Sequence, residues 1–302
     1  MTCNIVAACL TKNKPTATIS FSVRPHRGRG NRRCRGGNAM YRSEGYGMTT
    51  TQDITSRYRR DGFVCGIDIF SATEIEDYRH QFDELERREG REKCQIGLKM
   101  WHLKNRFIWD MATDHRLLDA VEAAMGPDIL LISTHFFCKY PVHEVEHFVA
   151  WHQDVTYWGL DPQEAHTAWI AVDDSDMENG CMQFIPGSHV DGIAPHGESE
   201  EGGNLLSINQ EIPDEYVDKT NAVPVELKAG QISLHDGRLF HASYPNTSDR
   251  RRCGLVCRFV APHVSQVELN SVGERWPAVL MRGVDEYGHY ERPELPFELQ
   301  AN

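Results

Sequence analysis

Apolar residues recur at helical spacing in the first part of the chain, after residue 70. One face of a predicted helix consists of Ile75, Tyr78, Phe82 and Leu85. Ser71 and Glu74 form a capping box at its start, because each side chain accepts a hydrogen bond from the other's free backbone N–H. Gly90 is a typical stop signal. The pattern therefore predicts a helix between Ser71 and Gly90.

Two further segments carry helix signals. Asp114 is a typical N-cap, and the apolar positions after it predict a helix that ends at Gly126. Upstream, the polar segment that follows Met48 turns into a helical pattern and indicates where the folded body begins. Helices are therefore expected on the N-terminal side of the body.

Beyond residue 128 the pattern changes to short runs of β-branched and aromatic residues, separated by turn signals such as Asn179-Gly180 and Pro186-Gly187. Six strands are predicted, at Ile129–Tyr140, Ala168–Val172, Met182–Ile185, Val225–Leu227, Gln231–Leu234 and Gly254–Val260. Helices followed by many short strands indicate an α+β, mainly β chain whose core is a sandwich or barrel. The polar segment 191–222 is expected to form a long loop over one end of this core, where substrate lids usually lie.

Composition narrows the class of protein. The chain has 302 residues, of which 25% are charged and 40% hydrophobic, as in an ordinary globular protein. No stretch approaches the roughly 18 consecutive apolar residues of a membrane span. The nine cysteines show no C-x-x-C pair, which favours free thiols in a reducing compartment over a disulfide framework.

The charge is divided unevenly. Residues 1–47 hold nine of the 32 Lys and Arg and one of the 44 acids, which leaves 23 basic and 43 acidic residues in 48–302, a net charge of −20. An acidic body is a poor electrostatic partner for nucleic acid or anionic lipid. We predict a disordered basic leader at 1–47 and a single domain at 48–302. The leader is a transit peptide, an Arg/Gly nucleic-acid tail or an extension upstream of a true start at Met48.

The sequence Trp151-His152-Gln153-Asp154 carries the first sign of a metal site. In an extended segment, residues two apart face the same way, so His152 and Asp154 point together. A third ligand has to come from another strand, and His241 and His235 both remain candidates. Two histidines and one carboxylate on one face suit non-haem Fe(II), because the opposite coordination positions stay open.

An arginine downstream adds a second element. Arg252 lies eleven residues after His241, and its planar guanidinium can bind a carboxylate in a bidentate pair. Ser243 can add a hydroxyl donor to the same carboxylate. An iron site with two histidines and one carboxylate, beside a buried arginine and serine that bind a carboxylate, is typical of a 2-oxoglutarate site.

Taken together, these residues resemble the phytanoyl-CoA dioxygenase family of Fe(II)- and 2-oxoglutarate-dependent oxygenases. The resemblance covers about 52–290 and rests on four blocks. W-H-Q-D is similar to the family's H-x-D, and H-A-S-Y-P-N-T-S-D-R-R-R-C-G to its H-x-S-x-x-N-x-S-x-x-x-R-x-G block. The other two blocks are 167–189, similar to the central signature, and 125–141, similar to the strand that enters the site.

The resemblance implies a double-stranded β-helix, or jelly-roll, core with flanking N-terminal helices. It also implies roles for individual residues. Iron would be bound by His152, Asp154 and His241, and the distal carboxylate of 2-oxoglutarate by Arg252 and Ser243, while Trp169 and His135 match positions that line the co-substrate pocket. Asn246 and Ser248 are expected to fix a turn. Lys139 contacts a substrate anion or has a structural role, and Gln95, Lys99, His102 and Lys104 stay unassigned.

We therefore predict an Fe(II)- and 2-oxoglutarate-dependent dioxygenase that uses O2, hydroxylates a small molecule and releases succinate and CO2. Halogenating relatives carry a small residue in place of this carboxylate, so the presence of Asp154 favours hydroxylation over halogenation. Two alternatives stay open: a non-catalytic metal- and ligand-binding jelly roll acting as a sensor, and an enzyme for a CoA thioester instead of a small polar metabolite such as an aminophosphonate. We expect a cytoplasmic monomer or homodimer without a nucleic-acid or membrane partner, or an organellar protein if 1–47 is a transit peptide.

Overall fold

The computed structural model describes residues 50–141, 146–270 and 273–297, and the predicted leader at 1–47 lies outside them. The helices of this part of the chain are α1 (Thr51–Asp61), α2 (Ala72–Glu89), α3 (Arg91–Ile96), α4 (Arg106–Ala112) and α5 (His115–Met125). Short 3₁₀ turns lie at Trp101–Leu103, Asp154–Tyr157, Ser188–Asp191, Asp214–Tyr216 and Lys219–Asn221. None of the helices described is long and apolar enough to cross a membrane.

The predicted helix boundaries are confirmed at the level of single hydrogen bonds. Ser71 and Glu74 form the expected capping box, α2 ends at Gly90, and the Asp114 side chain caps α5. α1 begins with a second capping box, between Thr50 and Asp53. The helices α3 and α4 were not predicted, because six or seven residues are too few to establish a helical period.

Fourteen strands are described, and all the pairs between them are antiparallel. The strands are β1 (Phe63–Asp68), β2 (Ile129–Lys139), β3 (Val149–His152), β4 (Leu160–Asp161), β5 (His166–Ala171), β6 (Met182–Phe184), β7 (Gly197–Glu198), β8 (Gln210–Glu211), β9 (Val223–Val225), β10 (Gln231–Asp236), β11 (His241–Ser243), β12 (Arg252–Val260), β13 (Ser265–Gln266) and β14 (Val279–Arg282). The six predicted strands are all present, with ends that differ by up to two residues. The Val225–Leu227 prediction overlaps β9 only at Val225 and is displaced by two residues.

Two sheets form the core of the molecule. The larger has the order β1-β10-β5-β12-β2-β14 and the smaller has the order β3-β11-β6-β9. This arrangement, with the helices on the N-terminal side of the chain, confirms the predicted mainly-β jelly-roll class. The two remaining pairs, β13-β4 and β7-β8, are short.

Alternation along β12 separates two faces of the larger sheet. Cys253, Leu255 and Cys257 point into a large core shared with residues of α2, α4 and α5. Arg252 and Val256 are on the other face, toward the smaller sheet, because side chains two apart in a strand point the same way. One face of β12 thus packs in the core that the larger sheet shares with the helices, and the other face lines the space between the two sheets.

The segment 191–222 was predicted to be a long loop. It contains the β7-β8 hairpin and two 3₁₀ turns, and it packs through Leu205 and Leu206 against Val149 of β3. Its polar composition hid these short elements, which have two or three residues each. The predicted position over one end of the core agrees with the structure, since Leu205, Leu206 and Ser207 line the central pocket.

Candidate metal centre and co-substrate pocket

A pocket lies between the two sheets, with a volume of about 1090 Å³ when its open mouth is included. Most of its wall is apolar or aromatic, including Phe137, Trp158 and Trp276. All seven predicted site residues line it: His135, His152, Asp154, Trp169, His241, Ser243 and Arg252. The fold therefore brings together residues that are up to 117 positions apart in the sequence.

His152, Asp154 and His241 form a compact group at this pocket. Their potential ligand atoms lie within 4.8 Å of one another, and all three residues are buried. His241 of β11 is directly paired with His152 of β3 in the smaller sheet. Asp154 follows after Gln153, whose backbone is extended (φ −118°, ψ 134°), and begins a 3₁₀ turn. The segment is thus extended as far as Gln153, and the His152 and Asp154 side chains point together, as expected for an extended segment.

Backbone carbonyls fix the orientation of both imidazoles. The Nδ1 atom of His152 lies 2.9 Å from the carbonyl oxygen of Ala150, and that of His241 lies 2.9 Å from the carbonyl oxygen of Leu239. Carbonyl oxygens only accept hydrogen bonds, so Nδ1 carries a proton in each ring, and in the neutral ring the lone pair is on Nε2. A histidine that donates through Nδ1 and binds through Nε2 is a common metal ligand.

The acid–base state of the group suits a cation. Burial lowers the pKa of His241 well below its usual value, and the neighbouring His152 lowers it further, so the ring is neutral. Burial by itself raises the pKa of Asp154, but the Arg258 guanidinium and the nearby His152 and His235 rings lower it more, to well below its usual value. Two neutral imidazoles and one carboxylate are the donor set of a facial iron site.

His235, the rival third ligand, comes from β10 in the larger sheet. Its Nε2 lies 3.6 Å from Asp154 Oδ2, and its ring centroid lies 4.8 Å from that of His241. Neither of its ring nitrogens has a hydrogen-bond partner among the described residues. His235 therefore faces the far oxygen of Asp154, while His152 and His241 lie near Oδ1, at 3.7 and 4.0 Å. The geometry favours His241.

Arg252, predicted to bind the distal carboxylate of 2-oxoglutarate, lines the same pocket. Arg252 is buried, its Nη1 donates to the Gly180 carbonyl oxygen at 2.9 Å, and its guanidinium lies over the Trp169 ring at 5.0 Å from the centroid. No described carboxylate lies within ion-pair distance of Arg252. A buried guanidinium without an anion is costly, so the arrangement suits a bound carboxylate.

Lys139 positions Ser243. Its ammonium group donates to Ser243 Oγ at 2.7 Å, to the Ser243 carbonyl oxygen at 3.1 Å and to the Tyr244 carbonyl oxygen. Because the lysine is the donor, the hydroxyl hydrogen of Ser243 stays available for a bound acceptor. Burial, with Arg252 nearby, lowers the pKa of Lys139 well below its usual value. These contacts support the structural alternative for Lys139.

Sequence reasoning missed Arg258, which lines the same pocket. It lies on β12 six residues after Arg252, its Nη1 is 2.8 Å from His135 Nδ1, and its Nη2 is 3.7 Å from Asp154 Oδ1. The six-residue separation could have identified Arg258, because residues an even number of positions apart in one strand, such as Arg252 and Arg258, lie on the same face. His135, predicted to line the co-substrate pocket, contacts this arginine.

The unassigned residues of the 95–104 segment take different places. Lys99 lines the pocket, while His102 is buried and its Nδ1 lies 2.8 Å from Thr134 Oγ1. Asn246 donates to the Lys139 carbonyl oxygen and accepts from the Ser248 backbone N–H at 2.9 Å. These bonds hold the turn before β12, as predicted for Asn246 and Ser248.

The fold and the site define a class before any comparison: a jelly roll with a buried His-Asp-His face, as in non-haem iron oxygenases. The family model of phytanoyl-CoA dioxygenase (PhyH) matches residues 58–254. The chain therefore belongs to the phytanoyl-CoA dioxygenase family, a family of oxidoreductases, as its motifs had indicated. Iron and 2-oxoglutarate, the predicted cofactor and co-substrate, agree with that family and with the donor set present.

Individual relatives agree with this membership. A phytanoyl-CoA dioxygenase domain-containing protein 1 homolog from Dictyostelium discoideum is 36% identical over 113 residues, 36% of this chain and 39% of the relative. A probable alpha-ketoglutarate-dependent hypophosphite dioxygenase from Stutzerimonas stutzeri is 27% identical over 63% of this chain and 60% of the relative. The chain thus spans less than two thirds of these two relatives.

A solved structure supports the fold. The non-heme monooxygenase ThoJ, in its apo form, superposes with a TM-score of 0.66 at 31% sequence identity, over 81% of this chain and 88% of that one.

Proposed function

We propose that this protein is an Fe(II)- and 2-oxoglutarate-dependent dioxygenase that hydroxylates a small molecule and releases succinate and CO2. The observation that carries the proposal is the buried group formed by His152, Asp154 and His241, whose ligand atoms lie within 4.8 Å of one another. It faces the same pocket as Arg252, which has no described carboxylate partner.

Each residue has a role in this proposal. His152 and His241 bind the metal through Nε2, and Asp154 binds through Oδ1 while its Oδ2 accepts a hydrogen bond from Thr167 Oγ1 at 3.0 Å. That bond orients the carboxylate. Arg252 and Ser243 hold the distal carboxylate of 2-oxoglutarate, and the Trp169 ring supports the Arg252 guanidinium.

When bound, iron and 2-oxoglutarate supply the oxidising chemistry, in which one atom of O2 enters succinate and the other the hydroxylated product. The protein orients the reactants and excludes water. Trp169 and Leu205 belong to the apolar wall that keeps the pocket dry. Lys139 holds the Ser243 oxygen so that its hydrogen points to the bound carboxylate.

A small molecule fits the pocket better than a polymer, because the reacting face lies between the sheets. A non-catalytic sensor would need no open coordination positions on the metal. Three protein ligands leave such positions, which favours the enzyme over the sensor. Which chemical class of substrate is turned over, a CoA thioester or a small polar metabolite, depends on the residues that line the pocket around the metal face.

The first test is anaerobic reconstitution with Fe(II) followed by 2-oxoglutarate. We expect the visible charge-transfer band of the iron chelate in the wild type and its loss in His241→Ala. Arg282 does not line the pocket and is paired with Asp119 and Glu122, so Arg282→Gln serves as the control and should keep the band. On admission of O2, succinate should form in the wild type.

Three results would contradict parts of this scheme. A folded wild-type protein without the band would remove the oxygenase proposal, and a band without succinate would favour the sensor. A band that survives in His241→Ala but disappears in His235→Ala would make His235 the third ligand.

A further inference from the structure

The roles proposed above leave His235 unused, although it lines the same pocket as the metal face. Its side chain is 2% exposed, and neither ring nitrogen has a hydrogen-bond partner among the described residues. Burying a polar group without a partner costs free energy, so such groups are rare in folded proteins. The His235 ring is therefore expected to act on the site that it lines.

The surroundings of His235 narrow what it can act on. Phe63 of β1 is paired with it in the larger sheet, and the Phe184 ring centroid lies 5.0 Å from its own. Both neighbours are apolar. Among the described residues, the carboxylate that lies within ion-pair distance of His235 is that of Asp154, whose Oδ2 is 3.6 Å from Nε2.

The two oxygens of Asp154 have different neighbours. Oδ1 lies 3.7 and 4.0 Å from the Nε2 atoms of the two metal-binding histidines, and 3.7 Å from Nη2 of its ion-pair partner Arg258. Oδ2 instead accepts a hydrogen bond from Thr167 Oγ1 at 3.0 Å and has His235 Nε2 beside it. Oδ1 is thus the oxygen on the metal side, and Oδ2 is the outer oxygen.

Strand register brings the two neighbours of Oδ2 together. His235 of β10 is directly paired with Thr167 of β5, and side chains at opposite positions of an antiparallel pair lie on the same face. A carboxylate oxygen only accepts and has room for two donors, so the favourable tautomer of His235 carries its proton on Nε2. At 3.6 Å the contact is longer than a hydrogen bond, but in a buried site such an electrostatic contact still orients a carboxylate.

We propose that His235 is a positioning residue for the metal, whose Nε2–H holds the outer oxygen of Asp154 so that Oδ1 is presented to the cation. The inference rests on the proposed function and adds a residue to its metal site. Carboxylates that bind metals depend on such outer partners, and losing one typically lowers metal affinity about 10- to 100-fold. This role differs from that of a third ligand and from that of a histidine that only fills the core.

The test measures the affinity of the metal-free full chain for Co(II) by calorimetry, without 2-oxoglutarate. His235→Asn and His235→Gln are the decisive pair, because the glutamine amide can reach the position of Nε2 whereas the shorter asparagine amide takes the position of Nδ1. We expect His235→Asn to weaken Co(II) binding about 10- to 100-fold and His235→Gln to stay within about threefold of the wild type.

Ser233→Ala is the matched control. Ser233 lies two positions before His235 on β10, is fully buried, has no hydrogen-bond partner for its hydroxyl among the described residues and does not line the pocket. The variant should bind Co(II) as the wild type does. The visible spectrum of Co(II) depends on its ligands, so at saturation it should be the same in the wild type and in His235→Asn.

The positioning role is overturned by any of three outcomes. Unchanged Co(II) affinity in His235→Asn would make the ring a core side chain, and equal losses in His235→Asn and His235→Gln would exclude the N–H as the cause. A loss as complete as that in His241→Ala, with a changed Co(II) spectrum, would make His235 a ligand.

Two further measurements keep the test decisive. Urea denaturation shows whether each variant is folded, and His235→Phe, which keeps a ring but lacks the N–H, replaces His235→Asn if that variant is unfolded. A wild type that does not bind Co(II) would remove the proposed function itself. Failure of the His235 variants alone to behave as expected would leave that function standing.

Discussion

Three consecutive arginines at the start of β12 have three different environments. Arg250 is half-exposed and paired with Asp176, Arg251 is mostly buried in a network of acids, and Arg252 is buried in the pocket. A run of three like charges is usually a solvated surface. Here the strand begins at Arg252, and strand alternation turns adjacent side chains to opposite faces, so only one of the three enters the site.

Gly254 controls the position of the Trp169 ring. A Cβ built on Gly254 would lie 2.1 Å from a ring carbon of Trp169, so the indole could not keep its place over Arg252. We expect Gly254→Ala to lower the free energy of unfolding by about 1–3 kcal/mol, as overpacking does. Because the displaced ring supports Arg252, 2-oxoglutarate binding should also weaken.

Chemical denaturation and titration of 2-oxoglutarate measure the two effects of Gly254→Ala. Gly202→Ala is the matched control, since a Cβ there has no neighbour within 4 Å. Equal stability and equal co-substrate affinity in the two variants would show that the Trp169 ring is free to move.

At the scale of elements, the 3₁₀ turn Trp101–Leu103 links the helices to the strand β2. The buried His102 ring contacts Thr134 Oγ1 at 2.8 Å, and Met100 donates to the backbone of the same threonine. Lys99 precedes these two anchors. The turn therefore fixes one edge of the pocket through two contacts to one strand.

Burial lowers the pKa of His102 to about 4. Between pH 6.5 and 4 the unfolded chain therefore binds a proton that the folded chain does not, and stability falls as the pH falls. The shift corresponds to about 3 kcal/mol. We expect metal-free His102→Asn, measured by urea denaturation between pH 7 and pH 4, to lose less stability over this interval than the wild type.

The pH interval makes this prediction specific. Other buried histidines, such as His166, contribute in the same direction in both proteins, so the comparison isolates His102. Parallel stability curves for the two proteins would mean that His102 titrates normally.

At the scale of the whole molecule, Arg251 connects the helices to the sheet that carries the site. It donates to Asp173 at 2.8 Å, to Asp83 of α2 at 2.7 Å and to Glu86 of α2 at 2.8 Å, and it lies over the Phe82 ring. One guanidinium thus bridges three carboxylates that would otherwise repel one another. The next residue along the chain is Arg252.

We expect Arg251→Gln to lower the free energy of unfolding by about 2 kcal/mol, because partly buried carboxylates lose their common cation. Arg250→Gln is the neighbouring control and should change stability by less than about 1 kcal/mol, as for an exposed ion pair. Thermal or urea unfolding measures both variants, and similar losses in the two would show that the network has no special weight.

The sequence predicted some parts of the site better than others. Local motifs identified His152 and Asp154, and the spacing of the downstream block pointed to Ser243 and Arg252, all of which line the pocket. The spacing to Arg252 favoured His241 over His235 as the third ligand and the family resemblance implied His241, although the residues alone left His235 as a rival. Their difference comes from pairing, since His241 lies opposite His152 in the smaller sheet whereas His235 belongs to the larger sheet.

The sequence by itself determined the helix caps, the order of the main strands, the family and the chemical types of the metal ligands, because these depend on short-range patterns. Only the tertiary structure decided that Arg258 and His135 are in contact, that Lys99 reaches the pocket and that Lys139 holds Ser243. Such contacts join residues about 100 positions or more apart, or, for Lys99, a loop and the strands. They depend on strand register and sheet facing, which follow from how the whole core packs.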